Sequence, residues 1–180
     1  MRISEDNAVA LIIDVQERIF PAIAEYEKLE KKLSQLVQGM KILEIPLFVT
    51  EQYVKGLGPT IPSLAALFGD LERIEKSSFS CVDEPRFIMN LASSGKEYVI
   101  IAGIESHVCV LQTVIDLIGN GYHPVVAEDC VSSRNPNDKK VAIARMQHEG
   151  AIVTTCESIL FELLRYSGTE KFKAISRLVK

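Results

Sequence analysis

The stretch Tyr98-Val-Ile-Ile-Ala-Gly-Ile-Glu-Ser-His-Val-Cys-Val110 decides how the chain is read. Its apolar opening, Tyr98 to Ala102, has the length of a buried strand, and Gly103 turns the chain. A polar triplet, Glu105-Ser106-His107, follows, and then Val110, Val114, Ile115, Leu117 and Ile118 recur at helical spacing. The reading is strand, tight loop, helix, with Cys109 on the first helical turn. Backbone N–H groups there lack helical partners and lie at the positive end of the helix dipole. Both favour thiolate over thiol, and the thiolate is the nucleophile. A single cysteine at a helix start is nevertheless more often a small buried residue.

Upstream, Val9 to Ile13 is a continuous apolar run closed by Asp14, as in parallel strands covered on both faces. Pro21 interrupts the next segment, and a helix is expected from about Tyr26 to about Leu43. Pro46 to Thr50 reads as a second strand, followed by Glu51-Gln52-Tyr53 and a Gly- and Pro-bearing loop from Gly56 to Pro62. A helical turn near Thr60 to Phe68, a weak strand over Leu71 to Glu75 ended by Lys76, and a helix near Glu84 to Ser93 come next. Downstream, Pro124 to Ala127 is strand five, Asp129 to Asn137 a polar loop, and Asp138 to about Glu149 a helix. Ala151 to Thr155 is strand six, Ser158 to about Tyr166 a helix, and the tail after Gly168 a last helix or a partner-binding arm. Strands alternating with helices at this rhythm imply an α/β fold, a parallel sheet with helices on both faces.

With 180 residues and 47% hydrophobic content the chain can bury one sizeable core, and a single domain over residues 1–180 is expected. The formal net charge is -4 and no basic cluster suggests nucleic acid or an anionic membrane. The cysteines at 81, 109, 130 and 156 form no CxxC pair, against both a zinc site and a secreted disulfide framework. No signal-peptide layout and no run of about 18 apolar residues is present, so a soluble cytoplasmic protein is expected.

Asp14, Lys76 and Cys109 each lie at or just beyond the end of an expected strand. In a doubly wound sheet of order 3-2-1-4-5-6, strands one and four meet at the switch point, where the crevice opens. Asp14 and Cys109 would face each other there, with Lys76 reaching in. A carboxylate can take the thiol proton, an ammonium steadies the anion, and two backbone N–H groups can receive an oxyanion. Singly, each has a plain alternative: a turn-capping Asp, a solvent-facing Lys, a structural thiol.

Several stretches resemble the isochorismatase-like cysteine hydrolases, which include nicotinamidases and isochorismatases. They are Leu11-Ile-Ile-Asp-Val-Gln16, Glu75-Lys-Ser-Ser-Phe79, Ala102-Gly-Ile-Glu-Ser-His-Val-Cys-Val110, Asp129-Cys-Val-Ser-Ser-Arg134 and Gly150 to Leu163. The third looks especially like the branch of isochorismatase domain-containing proteins. The resemblance implies a three-layer α/β/α sandwich and a catalytic triad falling on Asp14, Lys76 and Cys109. It also implies a covalent acyl-enzyme and a cis peptide at Ile104–Glu105 that aims the N–H of Glu105, with that of Cys109, at an oxyanion.

The chain departs from the nicotinamidase pattern. Where those enzymes carry metal-binding Asp and His, it has Glu51-Gln-Tyr53, and none of His107, His123 and His148 stands nearby in sequence. No metal and no cofactor are expected. Gln52 and Tyr53 are candidate pocket residues, as is Phe20, while His107 is read as a surface or interface residue. The expected activity is hydrolysis of a small amide or related carbonyl compound by a homo-oligomer, whose assembly the apolar stretch Ile159 to Leu164 would serve. The alternatives are a binding or scaffold protein with weak or lost catalysis, and an enol-ether hydrolase of the isochorismatase type.

Overall fold

A computed structural model describes residues 2–180. Its sheet has six strands: β1 (Ala8–Ile13), β2 (Leu47–Gln52), β3 (Arg73–Lys76), β4 (Tyr98–Ile104), β5 (His123–Ser132) and β6 (Ile152–Thr154). All pairings are parallel and the order is β3-β2-β1-β4-β5-β6. The expected fold class and strand order are therefore observed.

The continuous apolar run of β1 has a direct cause. Ala8, Ala10 and Ile12 face one buried cluster, whereas Val9, Leu11 and Ile13 face another. On the first face lie α1 (Tyr26–Ile42), α3 (Pro62–Phe68), α7 (Cys156–Leu164) and α8 (Glu170–Leu178), with α2 (Val54–Leu57) a single turn in the connection after β2. On the second lie α4 (Pro85–Ser94), α5 (Leu111–Gly119) and α6 (Pro136–Glu149). Each fully buried Leu or Ile contributes about 1.5–3 kcal/mol, so this double burial is what holds the three layers together.

Four expectations need correction. Strand five does not stop at Ala127. It bulges through Ala127 to Cys130 where β4 advances only through Ala102, then pairs again at Gly103↔Val131. Cys130 and Val131 are fully buried, which carries the strand past the charged Glu128 and Asp129. Lys76 is the last residue of β3 rather than the residue after it. Cys109 sits in a π-helical turn, Ser106–Val110, that precedes α5. The stretch Ile159 to Leu164 is largely consumed by the chain's own core: Ile159, Leu160 and Leu163 are buried, and Phe161 meets Phe172 of α8 edge to face at 6.3 Å. The tail after Gly168 is the helix α8, docked on α1 through Ile175 and through Gln35 Nε2 donating to the Leu178 carbonyl at 2.8 Å.

Gly103 brings β1 and β4 together at the edge where the polar residues emerge. Its φ is +124°, and a Cβ there would stand 2.1 Å from the Ile13 carbonyl oxygen. Backbone atoms of a central strand cannot yield to it. Gly103→Ala should therefore lower stability by more than ~1 kcal/mol, read as a reduced denaturant midpoint. An unchanged midpoint would show that the two strands can separate at little cost.

Candidate active site

The carboxyl ends of β1, β2, β3 and β4 meet at the switch point of the sheet, and the sequence-derived residues gather there. Asp14 follows β1 directly with φ +53° and is 3% exposed. Its Oδ2 accepts from Lys76 Nζ at 2.7 Å, and its Oδ1 accepts from Thr50 Oγ1 at 2.7 Å. The backbone N–H of Asp14 also donates to the Thr50 carbonyl at 3.1 Å, so β2 holds both ends of the residue. Lys76 donates in addition to Gln52 Oε1 at 2.8 Å and to the carbonyls of Ser78 and Phe79, each at 3.1 Å. Its side chain has no exposed surface.

Cys109 lies beside this pair, 7% exposed, in a turn fixed by the Glu105 carbonyl, which accepts from Val108 N at 3.0 Å and Val110 N at 3.2 Å. The Ile104–Glu105 peptide is cis. Burial of Cys109 and the Asp14 carboxylate push its thiol well above the ordinary range, and the Lys76 cation offsets them only in part. In the resting site the proton therefore sits on sulfur. Burial and the carboxylate thus work against the thiolate that the helix start alone favours. Lys76 is pulled down by burial, but the Asp14 carboxylate opposes this and the lysine stays above its ordinary value, so the ammonium is charged.

A small pocket of about 100 Å³ opens over these groups, lined by Asp14, Ile19, Gln52, Leu57, Phe79, Ile104, Glu105, Val108 and Cys109. Gln52 is in place. Phe20 and Tyr53 are not among the lining residues. Pro21 opens a short 3-10 turn, Phe20–Ala22, that folds Phe20 into the core edge to face with Tyr26 at 6.1 Å, and Ile19 takes the wall instead. Tyr53 lies over α2, its ring 2.3 Å from where a Gly56 Cβ would stand, and is 54% exposed.

Several residues support the site in roles the sequence reading did not give them, His107 among them, which was read as a surface or interface residue. Gln16, fully buried, donates to the carbonyls of Gln52 (2.9 Å) and Gly58 (2.6 Å) and accepts from Gln52 N (2.7 Å), tying the loop that carries Leu57 to β1. Arg134 reaches back from the end of β5, its Nε donating to Glu105 Oε1 at 2.9 Å and its backbone N–H to the same oxygen at 3.2 Å. His107 is half-buried, with Nδ1 2.9 Å from Ser133 Oγ, and belongs to the same brace between the π-helical turn and β5. Gln16 and Arg134 both stand in stretches that carry the family resemblance, which was the available signal. Among the described residues no group of three or more His, Cys, Asp or Glu is placed to hold a metal ion.

A doubly wound α/β domain with a thiol, a carboxylate and an ammonium at its switch point defines the class, and comparison with known proteins narrows it. The isochorismatase domain matches residues 8–158, and the chain belongs to that family. Isochorismatase domain-containing protein 2 of Xenopus laevis is 34% identical over 183 residues, covering 99% of this chain and 86% of the frog protein. A solved structure of MAR1 ribonuclease from Caenorhabditis elegans superposes with a TM-score of 0.93 at 37% identity, covering 99% of this chain and 92% of that one. The Escherichia coli YcaC gene product, described as an octameric hydrolase of unknown specificity, superposes with a TM-score of 0.93 at 24% identity, covering 99% and 90%.

The opposing charges around sulfur can be read out by alkylation. Labelling of Cys109 by iodoacetamide should still be rising above about pH 9, where an ordinary thiol is already mostly ionised. Asp14→Asn removes the opposing charge and should move the profile to lower pH, whereas Lys76→Met should move it higher. Site-resolved mass spectrometry across pH measures all three; coincident profiles would mean that neither charge is felt at the sulfur.

Proposed function

We propose that the protein is a cysteine hydrolase acting on a small amide or related carbonyl compound, with Asp14, Lys76 and Cys109 as its catalytic groups. The observation that carries this is the isolation of the three side chains from water at one end of the sheet, beside a pocket open to a small molecule. A binding module has no need to bury an ion pair next to a thiol.

In this reading Asp14 takes the thiol proton as sulfur attacks the carbonyl carbon. The C–S bond forms and the carbonyl π pair moves to oxygen. That oxyanion is received by the N–H groups of Glu105 and Cys109; the Glu105 N–H donates to no turn or loop carbonyl among the described residues. The intermediate collapses, the C–N bond breaks, and the amine leaves with the proton that Asp14 held. Water then attacks the thioester, giving its proton to Asp14, the C–S bond breaks, and Asp14 returns the proton to sulfur. Lys76 keeps Asp14 oriented and offsets charge on sulfur during attack. General acid–base transfer of this kind contributes typically ~10²–10⁴-fold, and each oxyanion donor ~10²–10³-fold.

The ribonuclease name of the Caenorhabditis elegans relative suggests a different substrate. A net charge of -4 and a pocket of about 100 Å³ favour the small molecule for this chain. Assembly as a homo-oligomer is part of the proposal, supported by the octamer described for YcaC; light scattering at micromolar concentration should give a mass above that of one chain.

The decisive experiment is a panel of amides, esters and single-stranded RNA. Amide or ester turnover should vanish in Cys109→Ala, fall ~10²–10⁴-fold in Asp14→Asn, and leave an acyl adduct on Cys109 detectable by mass spectrometry. RNA cleavage lost in Cys109→Ala, with no amide or ester turned over, would replace this reading.

A further inference from the structure

Resting on the hydrolase reading, we infer that the pocket at Cys109 selects a neutral acyl group with a short apolar chain, and rejects substrates that carry a charge next to the reacting carbonyl. The walls are apolar: Ile19, Leu57, Phe79, Ile104 and Val108. What is polar is already engaged. The Asp14 carboxylate is held by Lys76 at 2.7 Å and Thr50 at 2.7 Å. Glu105 is held by Arg134 at 2.9 Å. The Gln52 side chain accepts from Lys76 at 2.8 Å and donates to the Ser77 carbonyl at 2.8 Å, so both of its ends are occupied.

The two carboxylates that line the pocket, Asp14 and Glu105, are thus each matched by a cation within the protein, Lys76 and Arg134. A substrate carboxylate would find no cation among the lining residues: the Lys76 ammonium is fully buried and held by four oxygen acceptors, and Arg18, next to Ile19, donates to the carbonyls of Lys55 and Gly56. A substrate ammonium would compete with Lys76 or Arg134 for a carboxylate already paired. Either charge would lose its water without a partner, which is costly in so apolar a setting. The same argument weighs against any enol-ether substrate that carries carboxylates. Size follows from the walls: about 100 Å³ is well under the ~300–1,000 Å³ of pockets for drug-sized ligands. Leu57 and Phe79 stand on connections rather than on the sheet, Leu57 at the end of α2 and Phe79 in the loop after β3, so they set the length admitted.

The test reads the pocket through the thiol and needs no turnover. Rates of alkylation at Cys109 by iodoacetamide and iodoacetate are measured by site-resolved mass spectrometry and divided by the rates of the same reagents with glutathione. In both reactions an S–C bond forms, iodide leaves, and the thiol proton passes to Asp14 or solvent. The neutral reagent should be favoured at Cys109 at least tenfold beyond its advantage with glutathione. A second pair, 2-bromopropanamide and 2-bromohexanamide, normalised in the same way, should favour the shorter chain in the wild type. That preference should shrink several-fold in Phe79→Ala, whose exposed side chain makes misfolding no obstacle, and in Leu57→Ala. Equal or inverted preference for iodoacetate overturns the charge claim. A normalised preference for the longer chain in the wild type overturns the size claim. Failure of all three neutral reagents to label Cys109 overturns the whole inference. Absence of hydrolysis across the amide panel sinks the hydrolase reading alone, since the alkylation ratios stand without it.

Discussion

A buried ion pair, Asp14 with Lys76, governs this end of the molecule. Removing two charges from water carries an effective penalty of several kcal/mol per ion, and only close geometry with saturated hydrogen bonding offsets it. Both conditions are met here: the pair is 2.7 Å apart, and the second carboxylate oxygen is taken by Thr50. The requirement propagates. For Asp14 to reach Lys76, strands β1, β2 and β3 must end at a common level, and the parallel register Ile13↔Thr50 and Gln52↔Lys76 provides that. For Cys109 to stand beside them, β4 must approach β1 closely at Ile13↔Gly103, which only a residue without a Cβ allows.

The site also joins two chemically unlike halves. Asp14 and Lys76 are fixed by strands and hardly free to move. Cys109 hangs from a π-helical turn whose orientation depends on contacts to β5, through Glu105 with Arg134 and His107 with Ser133. The extension of β5 to Ser132 is what delivers those partners. Charge placement thus belongs to the sheet and thiol placement to a side-chain brace on its far side.

The unequal legibility of the sequence follows from the same division. The strands β1 and β4 could be read because burial on both faces leaves a continuous apolar run, and the helices α1 and α5 because one face repeats at helical spacing. The convergence of Asp14, Lys76 and Cys109 followed from strand order alone. The extension of β5 was hidden because Glu128 and Asp129 interrupt its apolar pattern at the bulge. Pocket walls were hidden for another reason: in irregular segments spacing does not say where a side chain points. Phe20 turns inward because Pro21 starts a tight turn, and Tyr53 turns aside because Gly56 leaves room for its ring. Ile19, Leu57, Phe79 and Val108 had no periodicity to announce them. The state of the thiol depends on burial as well as on the dipole, the lysine and the carboxylate, and burial at Cys109 was not legible from spacing.

The surroundings of the Lys76 nitrogen are four oxygens: one from a carboxylate, one from an amide side chain and two from consecutive peptide carbonyls. Such an oxygen cage is what a protein offers a monovalent cation, and here the cation is tethered to β3. It organises the loop after that strand as a bound ion would, drawing the Ser78 and Phe79 carbonyls inward. Unlike a free ion it cannot be exchanged, diluted or chelated. Buried contacts are little screened by dissolved salt, so the shape of this corner should depend little on the ionic strength of the medium.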